Sequence, residues 1–152
     1  MKNAPLIIFF LFFSTQFNAQ TVETMELAHK KYSSDSLNKL YFNRVLTDEI
    51  IEAFETSTDF FIREWRGFTK EYMAFLQNNH FNFGKKTVMQ IEVFFNKNEK
   101  IDCFFYQINN STLTETQNKK LKELTIEFSK AYIFTLDASK PFSNYGTITF
   151  IQ

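Results

Sequence analysis

The chain has 152 residues, with 17 basic and 17 acidic side chains and a formal net charge of zero. That length carries one hydrophobic core and not two ordinary domains, and the even balance excludes a surface that grips nucleic acid or an anionic bilayer by bulk charge. With 21 Phe against 3 Gly and 2 Pro, the composition excludes a disordered chain and leaves little glycine for phosphate-cradling loops.

Residues 1–19 read as a leader. Lys2 is followed by an unbroken apolar run from Leu6 to Phe13 and a polar stretch ending at Ala19. This is the order of a secretory signal peptide, and the run is too short for a retained membrane helix, which needs about 20 residues. Cleavage is expected after Ala19, with export to the periplasm or beyond the cell and no transmembrane segment in the mature chain. Loss of Lys2 leaves a net charge of −1. Abundant Asn, Lys, Phe and Ile with scarce Ala, Gly and Pro fit an AT-rich bacterial coding background.

Residues 20–152 are expected to form a single α+β domain. Its helical part covers about 20–80 and its strand–strand–helix–strand part about 86–152. Val22, Met25, Ala28 and Tyr32 lie at near-helical spacing and predict a short helix over 21–32, ended by Ser33–Ser36. Leu37–Leu46 fits either a strand or a helical turn. Thr47 or Asp48 can cap a helix that carries Ile50, Ile51 and Phe54, and Ser57–Asp59 starts a new helix or bends that one. Phe61, Trp65, Phe68, Tyr72, Phe75 and Leu76 then form one continuous stripe at a period of 3.6, ending near Asn78–Asn79. Gly67 within it costs about 1 kcal/mol of helix propensity relative to Ala and is expected to admit a close neighbour.

After Gly84 the period changes to 2. Ile91, Val93 and Phe95 alternate with polar residues, Asn96–Lys100 is a turn, and Ile101–Ile108 returns, which predicts a β-hairpin. A turn centred on Asn98–Glu99 sets Val93 opposite Phe104 and Ile91 opposite Tyr106. Ile91, Val93, Phe95, Phe104, Tyr106 and Ile108 then share the more apolar face, as in a sheet covered on one side. Gln90, Glu92, Phe94, Cys103, Phe105 and Gln107 take the other. Thr114–Gln117 matches a capping box ahead of the stripe Leu121, Leu124, Phe128 and Ala131 or Tyr132. Lys140–Pro141 breaks the chain, and Gly146–Ile151 alternates as a terminal strand.

The spacing Ile91-x-Val93-x-Phe95, five turn residues, Ile101 and Phe104-x-Tyr106, followed by a helix and a last strand, resembles the C-terminal domain of TonB-like energy transducers over residues 88–151. Glu99 stands where that family has a turn glycine, and no proline follows the helix between Phe134 and Asp137. An aromatic helical region replaces the membrane anchor and proline-rich spacer. The resemblance therefore implies an architecture and not energy transduction. The implied partner-strand edge is the open side of the third strand, at Thr147, Ile148, Thr149 and Phe150.

Catalytic motifs are lacking. There is no Gly-x-Ser-x-Gly elbow, Gly-rich phosphate loop or His-Glu-x-x-His pair. Glu26 and His29, at i and i+3, can share a helix face, but two ligands do not make a metal site. His80 reads as a loop residue. Cys103, the lone cysteine, cannot form an internal disulfide and reads as a half-buried small hydrophobe. Asn110–Thr112 is a formal sequon that reads as a polar helix lead-in. No enzyme activity, cofactor or metal is expected. The aromatic stripe has two readings: a lipid or sugar pocket formed by Trp65, Phe68 and Tyr72, with Trp65 as a stacking platform, or the core face of the main helix, which the periodicity favours. The expected function is a non-enzymatic interaction module whose partner is another envelope protein. The alternative is a secreted small-molecule or lipid binder.

Overall fold

A computed structural model describes residues 20–43, 54, 57–109 and 112–151. The leader, the cap at Thr47 or Asp48, Ile50 and Ile51, and the first two sequon residues lie outside the described residues. In chain order the elements are β1 (Thr21–Thr24), α1 (Met25–Lys31), α2 (Ser34–Leu40), β2 (Phe42–Asn43), α3 (Thr58–Asn78), β3 (Thr87–Phe95), β4 (Ile101–Ile108), α4 (Glu115–Ala131) and β5 (Phe142–Phe150). The strands form one sheet in the order β1-β4-β3-β5-β2. The class is α+β. The three long strands are antiparallel, and the two short N-terminal strands join the sheet in parallel at either side.

The hairpin has the register that its alternation requires, with Val93 opposite Phe104 and Ile91 opposite Tyr106. Its turn is held by the Asn96 side chain, whose Oδ1 accepts from the backbone N–H of Asn98 at 2.9 Å and of Lys100 at 3.3 Å. This is the local bonding that makes Asn a turn residue. The register shifts between Phe94 and Phe95, so that Phe94 faces Cys103 while Phe95 faces Ile101. Asp102 is thus an extra residue in β4, a β-bulge. The shift moves Ile101 onto the main core face, where Ile101 and Phe95 are both buried.

Two helices cover that face. Ser57 caps α3, its Oγ accepting from the N–H of Phe60 at 3.3 Å. The stripe buries Phe61, Phe68, Tyr72 and Leu76, with Trp65 and Phe75 partly buried beside them. Helix α4 begins at the expected capping box: Thr114 Oγ1 accepts from the Gln117 N–H, and Gln117 Oε1 accepts from the Thr114 N–H. Fully burying each large apolar side chain contributes roughly 1.5–3 kcal/mol, so this face supplies most of the driving force.

The N-terminal segment differs from the helix predicted over 21–32. Thr21–Thr24 is a strand paired in parallel with β4, and the helix begins only at Met25. Val22 enters the main core, whereas Met25 and Ala28 enter a second cluster on the opposite face with Leu37, Tyr41, Phe94, Cys103 and Phe105. The helical spacing of these residues is a coincidence of a chain that passes from one face of the sheet to the other at Thr24. The one-sided sheet is corrected in the same way. Phe94 and Phe105 are too large and apolar to stand in water, and α1 and α2 cover them, with Tyr41 edge-on to Phe94 and Tyr32 stacked on Phe105. Of the ambiguous Leu37–Leu46 stretch, the described residues 37–43 supply the end of α2 and then β2.

Glu99 sits in the left-handed region at φ 58°. Its carbonyl accepts from the Phe134 N–H at 2.9 Å, and its carboxylate accepts from the Ala138 N–H at 3.1 Å, tying the hairpin turn to the segment between α4 and β5. The left-handed backbone costs a non-glycine residue roughly 1–2 kcal/mol, and a hydrogen bond to a charged group contributes about 1.5–3 kcal/mol. Glu99→Ala keeps the strain and loses the bond, so urea melts should show a loss of about 2 kcal/mol. Glu99→Gly, which relieves the strain, should recover at least half of that loss.

Candidate functional site

Strand β5 pairs with β3 along its whole length, from Phe142 opposite Phe95 to Phe150 opposite Thr87. It begins four residues earlier than the alternation at Gly146 indicates. Among the described residues its other side meets β2 at Phe142 and Ser143. Among the described residues no strand pairs that outer edge from Asn144 to Phe150. An edge of this kind presents a row of backbone N–H and C=O groups able to template another strand. The segment Asn144-Tyr145-Gly146-Thr147-Ile148-Thr149-Phe150 carries no charge and no proline, two of the devices that blunt an edge.

The four residues expected at the edge fall into two sets. Ile148 and Phe150 turn into the main core, and Thr147 and Thr149, with Tyr145, point to solvent on the other face. The edge is therefore a backbone surface, flanked on one side by exposed Thr and Tyr side chains.

Trp65 lies on the helix-covered side of this strand. A Cβ added at Gly146 would stand 2.9 Å from its Nε1 and 3.1 Å from its Cζ2, so the indole lies directly on the glycine backbone. A glycine within a strand marks such a close approach, and an aromatic ring laid over it replaces the missing packing. Gly67, expected to admit a neighbour, has no atom within 4 Å of the corresponding position. The strand glycine signals a close approach, but nothing in the sequence names Trp65 as the residue that makes it, because the two are far apart in the chain.

Of the stripe residues read as a pocket, only Trp65 reaches the surface. Its ring stacks on Phe68 at 4.8 Å. Phe68 and Tyr72 are 0% exposed, closed in by Phe104 and Phe128 and, for Phe68, also by Phe95 and Tyr132. Thr125 Oγ1 donates to the Leu121 carbonyl, so the Tyr72 hydroxyl is the donor in its 2.7 Å bond to Thr125. Burial raises the ionisation of that phenol far above its ordinary range. These contacts make Phe68 and Tyr72 packing residues.

The remaining candidates do not converge. Glu26 is taken by Lys30 at 2.6 Å, and this bond holds its carboxyl below the usual range, while His29 turns to Glu92 at 3.8 Å. His80 follows α3 at φ 54° and lines a 400 Å³ recess with Phe81, Phe83 and Phe150. Cys103 is buried against α1 and α2, on the far face of the sheet; burial pushes its thiol up to about 12. A larger recess of 650 Å³ lies between α1 and the end of β4, lined by Met25, His29, Tyr106 and Leu113 among others. Among the described residues no group of three His, Cys, Asp or Glu is placed to hold a metal ion, and no helix is long and apolar enough to cross a membrane.

The indole on Gly146 gives a direct test of the strand's fit. Gly146→Ala should destabilise the fold by about 1–3 kcal/mol, the usual effect of forcing a methyl group into packed space. Adding Trp65→Phe should recover much of that loss in urea melts followed by circular dichroism. No protein-family model, curated protein or solved structure matches the chain, and its own edge and packing carry the functional reading.

Proposed function

We propose that the chain is an exported, non-enzymatic protein-interaction module of the cell envelope, acting by strand addition at the outer edge of β5. The observation that supports this reading is the uncharged run from Asn144 to Phe150, unpaired on its outer side among the described residues. In strand addition the main-chain hydrogen bonds supply affinity, and alternate side chains supply specificity. Here those side chains are Tyr145, Thr147 and Thr149, which stand exposed beside the edge. The backing comes from β3, whose Met89, Ile91 and Val93 are buried in the main core, and from Trp65 over Gly146. Export rests on the leader composition of residues 1–19, and the partner is another envelope protein.

Two measurements check this reading. Protein recovered from the exported fraction should begin at Gln20 by N-terminal sequencing; a product that retains Met1 and stays in the cytosol counts against export. Immobilised chain should retain an envelope protein that the double variant Thr147→Lys, Thr149→Lys loses, because lysines on an edge oppose strand pairing. Both positions are exposed, so the variant should keep the wild-type melting temperature. Undiminished retention by the folded variant rules out strand addition.

A further inference from the structure

We propose that residues 25–41 form a strap that lifts from the back of the sheet as one unit while the main core stays folded, and so governs the exposure of an apolar face at Phe94, Cys103 and Phe105. The strap crosses the sheet from one side to the other, and a strand pair holds each end. Before it, Thr21–Thr24 pairs with Cys103–Tyr106. After it, Phe42 and Asn43 pair with Phe142 and Ser143. Thr24 lies level with Tyr106, Ile91 and Gly146, and Phe42 lies level with Phe142. The two ends are therefore four strand spacings and four strand residues apart, or about 23 Å. Extended, residues 25–41 reach about 56 Å. The strap has the slack to leave the sheet without unpairing either strand.

Its helices hold their form by docking. α1 and α2 have seven residues each, fewer than the roughly 12–15 that an isolated helix needs in water. The docked surface is small: α1 buries Met25 and Ala28, and α2 buries Leu37. Tyr32 and Tyr41 add their rings against Phe105 and Phe94, while Leu27 and Leu40 face water. The main core is closed instead by α3 and α4, with 21 and 17 residues. A region with few buried apolar contacts opens at a lower free energy than the whole fold. The latch is at the end of the strap, where the Tyr41 hydroxyl donates to an Asp102 carboxylate oxygen at 2.9 Å, a charge-assisted bond. The contacts nearer α1 are longer, with the Tyr32 hydroxyl 3.4 Å from Thr21 Oγ1 and His29 3.8 Å from Glu92. This device is separate from strand addition at β5, and its test leaves residues 144–150 untouched.

Cys103 is the chain's one cysteine and is 2% exposed beneath the strap, so its thiol reports the opening. An aromatic disulfide reagent should label the folded chain without denaturant faster than global unfolding allows. The labelling rate should also depend less steeply on urea than the global melt, because a partial opening exposes less surface. Tyr41→Phe keeps the ring and removes the latch donor, and should speed this labelling about tenfold or more. Tyr72→Phe removes a hydroxyl bond inside the main core and should leave the rate without urea unchanged. In the wild-type chain, hydrogen exchange read by mass spectrometry should show α1 and α2 exchanging together and ahead of α3 and β3. Labelling that is no faster than global unfolding and shares its urea dependence overturns the proposal. So does a rate for Tyr41→Phe no greater than that for Tyr72→Phe, or exchange of α1 and α2 in step with α3.

Discussion

Asp102 is the extra residue of the β4 bulge. One of its carboxylate oxygens accepts from the Asn96 amide at 2.8 Å, and the other accepts from the Tyr41 hydroxyl at 2.9 Å. Without that extra residue Ile101 would fall on the same face as Cys103, and the main core would lose a buried side chain next to Phe95. With it, the hairpin turn is bonded to its own bulge, and the chain just after α2 is bonded to the hairpin. Burial and the neighbouring carboxylate raise the Tyr41 phenol far above its ordinary range, so the hydroxyl remains a donor. The second apolar cluster, and with it the two-sided burial of the central strands, is anchored at this residue.

From that anchor the two faces divide the work. The helix-covered face is a continuous array of rings, in which Phe68, Phe95, Phe104, Phe128, Phe134 and Phe142 each touch at least one other. The opposite face has a smaller cluster under α1 and α2, and beyond it the side chains of β5 turn from buried Ser143 to exposed Tyr145, Thr147 and Thr149. β5 stays in register with β3 along its full length, backed on the main core face by Met89, Ile91 and Val93. On the strand-addition reading, an edge backed in this way is preorganised, and a strand that joins it pays little to order the receiving side.

What could be read from the sequence was whatever a local period encodes. The stripe from Phe61 to Leu76, the pairing of Val93 with Phe104, the capping box at Thr114 and the presence of a terminal strand all follow from spacings of 3.6 or 2, or from a cap beside them. What could not be read depends on partners distant in the chain. A four-residue parallel strand at Thr21–Thr24 exists because β4 offers it an edge. Val22 and Met25 are three residues apart and lie on opposite faces of the sheet, a fact no periodicity reports. The start of β5 was hidden because Phe142, Ser143 and Asn144 are all buried and show no alternation. The terminal strand through Thr147–Phe150 was visible in outline, whereas the contact of Trp65 with Gly146 was not.

That contact has an optical consequence. Trp65 is the single tryptophan of the chain, partly buried, stacked on Phe68 and laid over the backbone of the edge strand. Indole emission follows the polarity around the ring, and here the ring is partly exposed over the β5 backbone. The fold thus carries one intrinsic tryptophan fluorophore, set over the backbone of β5, and on the strand-addition reading a strand docked there should shift the chain's own emission without any added label.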